Sequence, residues 1–118
     1  MKIKEDVIYY DLEVPEEFYT MDEGTLLMSM GGCGPGKTGD YFVPDTMWGL
    51  RITLACKIHD LDYSIGKNKF KSDLRFLCNL IRIIFKDSAN KFMITLRTLR
   101  AAKYFVAVAL GGDSSFNK

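Results

Sequence analysis

Apolar residues in the second half of the chain recur with a helical rather than a strand period, and three helices follow from that spacing. The first is predicted from about Thr46 to Ile65, with Asp45 as N-cap and Gly66 as stop. On it Ile52, Cys56, His59 and Tyr63 share one side, while Asp60 is rotated about 100° from His59. A second helix, from about Phe70 to Lys86, carries the stripe Phe70, Leu74, Leu77, Ile81 and Ile84. The short spacer Lys67-Asn68-Lys69 predicts that it runs back antiparallel to the first. A third helix, from about Lys91 to Leu110, is expected to end at Gly111-Gly112, leaving residues 111–118 as a flexible tail.

The first half is less regular. Residues 1–24 read as an irregular arm in which Val7–Tyr10 forms a short strand and Pro15 breaks any regular structure after it. Thr25–Met30 is apolar and ambiguous in type. Gly31–Gly39 holds five glycines and one proline and reads as a loop that exposes its own backbone, extended by 40–44. The expectation is a mostly α chain with two antiparallel helices, a Gly-rich loop before them and a C-terminal helix after them.

Composition narrows the function. At 118 residues the chain is one domain, 1–118, too small for a full nucleotide-binding sheet. Sixteen Lys and Arg against fifteen Asp and Glu give no bulk charge for a nucleic-acid partner. The charge is skewed, however, with an acidic stretch from Met1 to Glu23 and a basic one from Lys67 to Lys103, so one face favours anionic surfaces. No secretory signal is visible in the acid-bearing first ten residues, and Tyr104–Leu110 is too short to span a bilayer. Three cysteines are too few for a disulfide framework.

His59 is the single histidine and has Asp60 directly beside it, which makes 55–63 the centre of any chemistry. Asp73 falls on the second helix's apolar stripe, where an unpaired carboxylate would cost several kcal/mol. The antiparallel helix offers it His59 and Tyr63 at about the right level; the plainer reading leaves Asp73 at the stripe's edge. Gly31–Thr38 satisfies the letter of a phosphate-binding loop, but Gly39 and Pro44 prevent a helix from following directly, so no nucleotide is expected. Cys33, Cys56, His59 and Cys78 make a thin zinc set with no Cys-x2-Cys pair. Loop carbonyls plus the Asp60 carboxylate instead suit calcium. A cation beside an imidazole held by a carboxylate can activate water and stabilise an oxyanion, which is ester hydrolysis without a serine or cysteine nucleophile.

Cys33-Gly34-Pro35-Gly36 resembles the Cys-Gly-x-Gly loop of the phospholipase A2 family, and Cys56-Lys-Ile-His59-Asp60-Leu-Asp-Tyr63 resembles its Cys-x-x-His-Asp-x-x-Tyr helix. Gly66–Phe70 followed by Ser72-Asp73 is similar to the compact, cysteine-poor viral-capsid type. The resemblance covers about residues 31–80. It implies a phospholipase A2-like fold and calcium-dependent hydrolysis of the sn-2 acyl ester of glycerophospholipids at a membrane surface. It implies His59 as general base, Asp73 as its orienting partner, Tyr63 bonded to Asp73, and the Gly34 amide in the oxyanion hole. Asp60 and the carbonyls of Gly32, Gly34 and Gly36 would be the calcium ligands, and Cys33 would pair with Cys56, leaving Cys78 a buried free thiol. Lys37 stands where the family often has glycine, 39–44 lengthens the link to the helix, and Phe70 lacks the hydroxyl of a tyrosine common nearby, a secondary support for Asp73.

The alternative from another class is a lipid-binding domain of the same fold without turnover. A low-charge calcium site should bind weakly, so the chain is expected to act outside the resting cytosol, delivered by a virion or a dedicated secretion route. Arg97, Arg100 and Lys103 flank Phe92, Leu96, Leu99 and Tyr104, a pattern that suits either a membrane surface or packing on the core.

Overall fold

The computed structural model describes residues 3–29, 46–47, 50–88 and 90–111. Its elements are α1 (Ile3–Tyr10), a 3-10 turn (Glu16–Thr20), α2 (Glu23–Ser29), the strands β1 (Thr46–Met47) and β2 (Leu50–Arg51), α3 (Thr53–Ile65), α4 (Lys69–Asp87) and α5 (Lys91–Gly111). The mostly α expectation holds.

α3 is the central element. Eight of its thirteen residues are buried, from Leu54 through Tyr63, so it is covered on nearly every side rather than along one stripe. It stops at Gly66, whose φ of 71° is the left-handed conformation that ends helices, with its N–H bonded to the Asp62 carbonyl. Asn68 then caps α4 by accepting from the Lys71 N–H at 3.0 Å. Contacts 63–73, 62–75 and 59–76 climb one helix as they descend the other, which makes α3 and α4 antiparallel as the short link requires. Asn90 caps α5 through the Met93 N–H, and α5 returns along α4, burying Ala101, Tyr104 and Val108.

Three sequence expectations are corrected. The helix predicted from Thr46 begins only at Thr53, because Thr46–Met47 pairs antiparallel with Leu50–Arg51 in the register Thr46↔Arg51 and Met47↔Leu50. Within the predicted irregular arm, residues 3–24 hold α1, the 3-10 turn and the start of α2, and Val7–Tyr10 is no strand: Ile3 and Val7, four apart, are both buried by α1. Its first N–H groups, from Ile3 and Lys4, donate to the Glu23 carboxylate on α2, a cap that lies twenty residues away and leaves no local signature. Its end is a Schellman turn in which Leu12 N–H reaches the Val7 carbonyl and Asp11 N–H the Ile8 carbonyl, with Asp11 at φ 55°. The ambiguous segment from Thr25 is part of α2, capped by Asp22 at 2.7 Å from the Thr25 nitrogen.

The buried face of α4 is also rotated from the predicted stripe. Phe76, Leu80, Ile83 and Ile84 are buried, whereas Phe70 is 66% exposed and Leu74 37%. The rotation has a physical cause: Ser72, Asp73 and Asn79 belong to the buried face and are invisible to a count of apolar residues. Cys78 is accordingly exposed and free, not buried as expected. The Gly-rich loop, Gly31–Pro44, and the tail after 111 lie outside the described residues.

Asn79 fastens the N-terminal segment to this frame. Its side-chain oxygen accepts from the Glu13 N–H at 2.8 Å and its amide donates to the Glu13 carbonyl at 2.9 Å, with Asn79 fully buried. Replacing it strands two backbone polar groups. Asn79→Ala is expected to lower the unfolding free energy by about 2–3 kcal/mol, read from urea midpoints at unchanged m-value.

Candidate active site

α3 and α4 bring His59, Tyr63 and Asp73 together. His59 and Tyr63 lie one turn apart on α3 and therefore face the same way. Asp73, one turn into α4, meets them. Its Oδ1 is 2.8 Å from His59 Nε2 and accepts from the Tyr63 hydroxyl at 2.6 Å. Lys69, four residues earlier on α4, donates to Asp73 Oδ2 at 2.9 Å. His59 is 3% exposed and Asp73 1%, so this is a buried charge surrounded by donors. Phe76 lies against the imidazole with ring centroids 4.6 Å apart, and Tyr63 at 4.2 Å.

These contacts set the ionisation. Burial alone would push the Asp73 carboxyl up, but hydrogen bonds from His59, Tyr63 and Lys69 outweigh it and hold the carboxyl below its ordinary value. An ionised carboxylate only accepts, so His59 Nε2 carries a proton, and in the neutral ring the lone pair is then on Nδ1. That is the tautomer of a base oriented by a carboxylate.

The remaining predicted site residues are placed as follows. Asp60 follows His59 on α3 and is half-buried. Gly32, Gly34 and Gly36 lie outside the described residues, as does Cys33 and with it the Cys33–Cys56 pairing; Cys56 itself is buried one turn before His59. Among the described residues no three His, Cys, Asp or Glu side chains cluster as a metal site, which leaves the zinc set without support there.

Two buried polar features escape a reading of the sequence. Lys69 falls in the predicted spacer, although its i,i+4 spacing to Asp73 is the signal of a helical ion pair. Asp62, rotated away from His59 on α3, pairs with Arg75 of α4, and no local pattern marks it. Burial pushes the Asp62 carboxyl up to about 6 against the pull of Arg75, and its Oδ2 has no hydrogen-bond partner.

Comparison with protein-family models, curated proteins and solved structures found no match for this chain.

Folding lowers the Asp73 value, so its ionised network contributes stability that is present above the unfolded-state pKa of about 3.9 and lost as pH falls through the folded value. Asp73→Asn is expected to lower stability by about 3 kcal/mol near neutrality. The gap between variant and wild type should narrow as pH falls from about 5 toward about 2, in urea titrations across that range. A gap that widened on acidification would contradict the assigned ionisation.

Proposed function

We propose that this chain is a calcium-dependent hydrolase of the phospholipase A2 type, cleaving the sn-2 acyl ester of glycerophospholipids. The observation that carries the reading is the buried His59–Asp73–Tyr63 arrangement on antiparallel helices, with Asp60 directly after His59. The resemblance of the Cys-Gly-x-Gly and Cys-x-x-His-Asp-x-x-Tyr segments supplies the reaction class.

The chemistry derives from the tautomer. His59 Nδ1 takes a proton from a water molecule as the water oxygen attacks the ester carbonyl carbon. The imidazolium that forms is stabilised by the Asp73 carboxylate, which keeps its charge throughout, while the Tyr63 hydroxyl holds that carboxylate in place. On collapse of the tetrahedral intermediate the imidazolium returns its proton to the departing lysophospholipid oxygen, releasing a fatty acid. The water hydroxyl ends in the acid and its proton in the alcohol, so atoms balance with His59 restored.

Asp60 fits a role in holding calcium: a helix carboxylate completed by backbone carbonyls is a hard oxygen set. Gly32, Gly34 and Gly36 would give those carbonyls and the Gly34 amide a donor to the oxyanion. Calcium bound there would add a positive charge opposite the developing oxyanion.

α5 supports a lipid surface as the partner. It carries Lys91, Arg97, Arg100 and Lys103 and no acidic residue. Phe92, Leu99, Val106 and Leu110 are 71%, 65%, 51% and 78% exposed, and their spacing places them on one stripe. Basic and apolar groups on one helix surface suit an anionic bilayer. No described helix is long and apolar enough to cross a membrane.

The test is fatty-acid release from phospholipid vesicles with calcium or with chelator. His59→Gln should abolish release and leave calcium binding largely intact, whereas Asp60→Asn should lose calcium first and activity as a consequence. Asp73→Asn should cost between about ten-fold and ten-thousand-fold in turnover. Wild-type turnover in folded His59→Gln would sink the mechanism and leave a non-catalytic lipid-binding domain as the account.

Lipid docking is tested separately at Arg100 and Lys103. Arg100→Glu with Lys103→Glu should weaken binding to phosphatidylglycerol vesicles by about ten-fold or more and leave phosphatidylcholine binding little changed. Equal binding to anionic vesicles would remove α5 from the lipid interface.

A further inference from the structure

Lys69 is the one cation in direct contact with the buried carboxylate among the described residues, and it reaches two helices at once. Its ammonium lies 2.9 Å from Asp73 Oδ2 and 3.1 Å from each of the carbonyl oxygens of Val108 and Ala109, with the side chain only 19% exposed. Those two carbonyls belong to the C-terminal turn of α5 as described, the end that carries the negative pole of the helix dipole. The two oxygens of Asp73 are thus divided: Oδ1 serves His59 and Tyr63 of α3, and Oδ2 serves Lys69.

We infer that Lys69 is the positioning residue of the His59–Asp73 pair, a clamp that holds Asp73 Oδ2 against the end of α5 so that Oδ1 stays on His59 Nε2. The catalytic meaning of the clamp rests on the reading of His59 as base; the effect on the ring does not. A carboxylate held by one oxygen can swing about its χ2 bond, and a swing of Asp73 would release the imidazole to either tautomer. Fixing Oδ2 from the far side removes that freedom. Phe70, beside Lys69 in sequence, is 66% exposed and has no hydroxyl to share the task. Among the described residues the side chains that meet Asp73 are His59 and Tyr63 from α3 and Lys69 from its own helix.

His59 is the only histidine, so its ring can be read without assignment in protein labelled with ring-15N histidine. In the wild type the Nε2–H tautomer should dominate. Lys69→Met should mix the tautomers. Lys69→Arg should restore the Nε2–H form. Lys69→Gln, whose donor sits on a shorter side chain, is the variant to use if Lys69→Met does not fold; it should mix the tautomers in part. Amide exchange in α5 reports whether that helix stays docked. An unchanged tautomer in folded Lys69→Met, with α5 loosened, would overturn the inference and leave Lys69 a strut for α5.

Vesicle hydrolysis separates this result from the proposed function. With an active wild type, Lys69→Met should lose about ten-fold in kcat at nearly constant KM. Full kcat despite a mixed tautomer would overturn the positioning role. If the ring responds to Lys69 as expected but the wild type hydrolyses nothing, the clamp stands and the assignment as a phospholipase falls.

Discussion

A carboxylate buried as completely as Asp73 is admissible only if every direction from which water has been removed contains a donor, and that constraint sets the relative heights of three helices. Stripped of partners it would cost several kcal/mol, a large share of the stability of a domain this size. His59 and Tyr63 supply donors from α3 and Lys69 from α4, and Lys69 draws in the last carbonyls of α5. A slip of α3 by one turn would put Ala55 or Cys56, neither a strong donor, at the level of His59 and leave His59 alone at the level of Tyr63. Apolar packing tolerates small displacements between helices; this ion cluster does not.

Other buried polar groups extend the same logic around α3. Asp62 faces Arg75 on a different side of the helix from His59, and Asn79 closes on the Glu13 backbone further along α4. α4 is therefore apolar toward the core through Phe76, Leu80 and Ile83, yet reads Asp62, His59 and Glu13 through single polar side chains set between them. Asp62 is the least satisfied of these, with one oxygen lacking a partner and its carboxyl pushed up to about 6 by burial.

The parts of this arrangement that could be read from sequence are those encoded locally. Gly66 marks the end of α3, the short link forces α4 antiparallel, and a carboxylate at Asp73 near an apolar stripe demands His59 or Tyr63. Local pattern failed where the determinant is distant. α1 depends on the Glu23 carboxylate at its N-terminus, and the start of α3 on strand pairing between Thr46–Met47 and Leu50–Arg51. It also failed where burial and polarity part company: Ser72, Asp73 and Asn79 disguise the inner face of α4 as an outer one. Lys69 illustrates both limits, since its link to Asp73 is a four-residue step while its link to Val108 spans 39 positions.

The attachment of the N-terminal segment has a consequence for the order of folding. α3, α4 and α5 follow one another with short links and meet through neighbours in sequence, so they can assemble at small loop-closure cost. The segment before them is tied down across far longer intervals, 66 residues from Glu13 to Asn79 and 77 from Tyr10 to Asp87. Contacts of that span are worth forming only once the helices that receive them exist. The N-terminal elements are therefore expected to dock late, onto a three-helix frame already formed, so that weakening them should accelerate unfolding more than it slows folding.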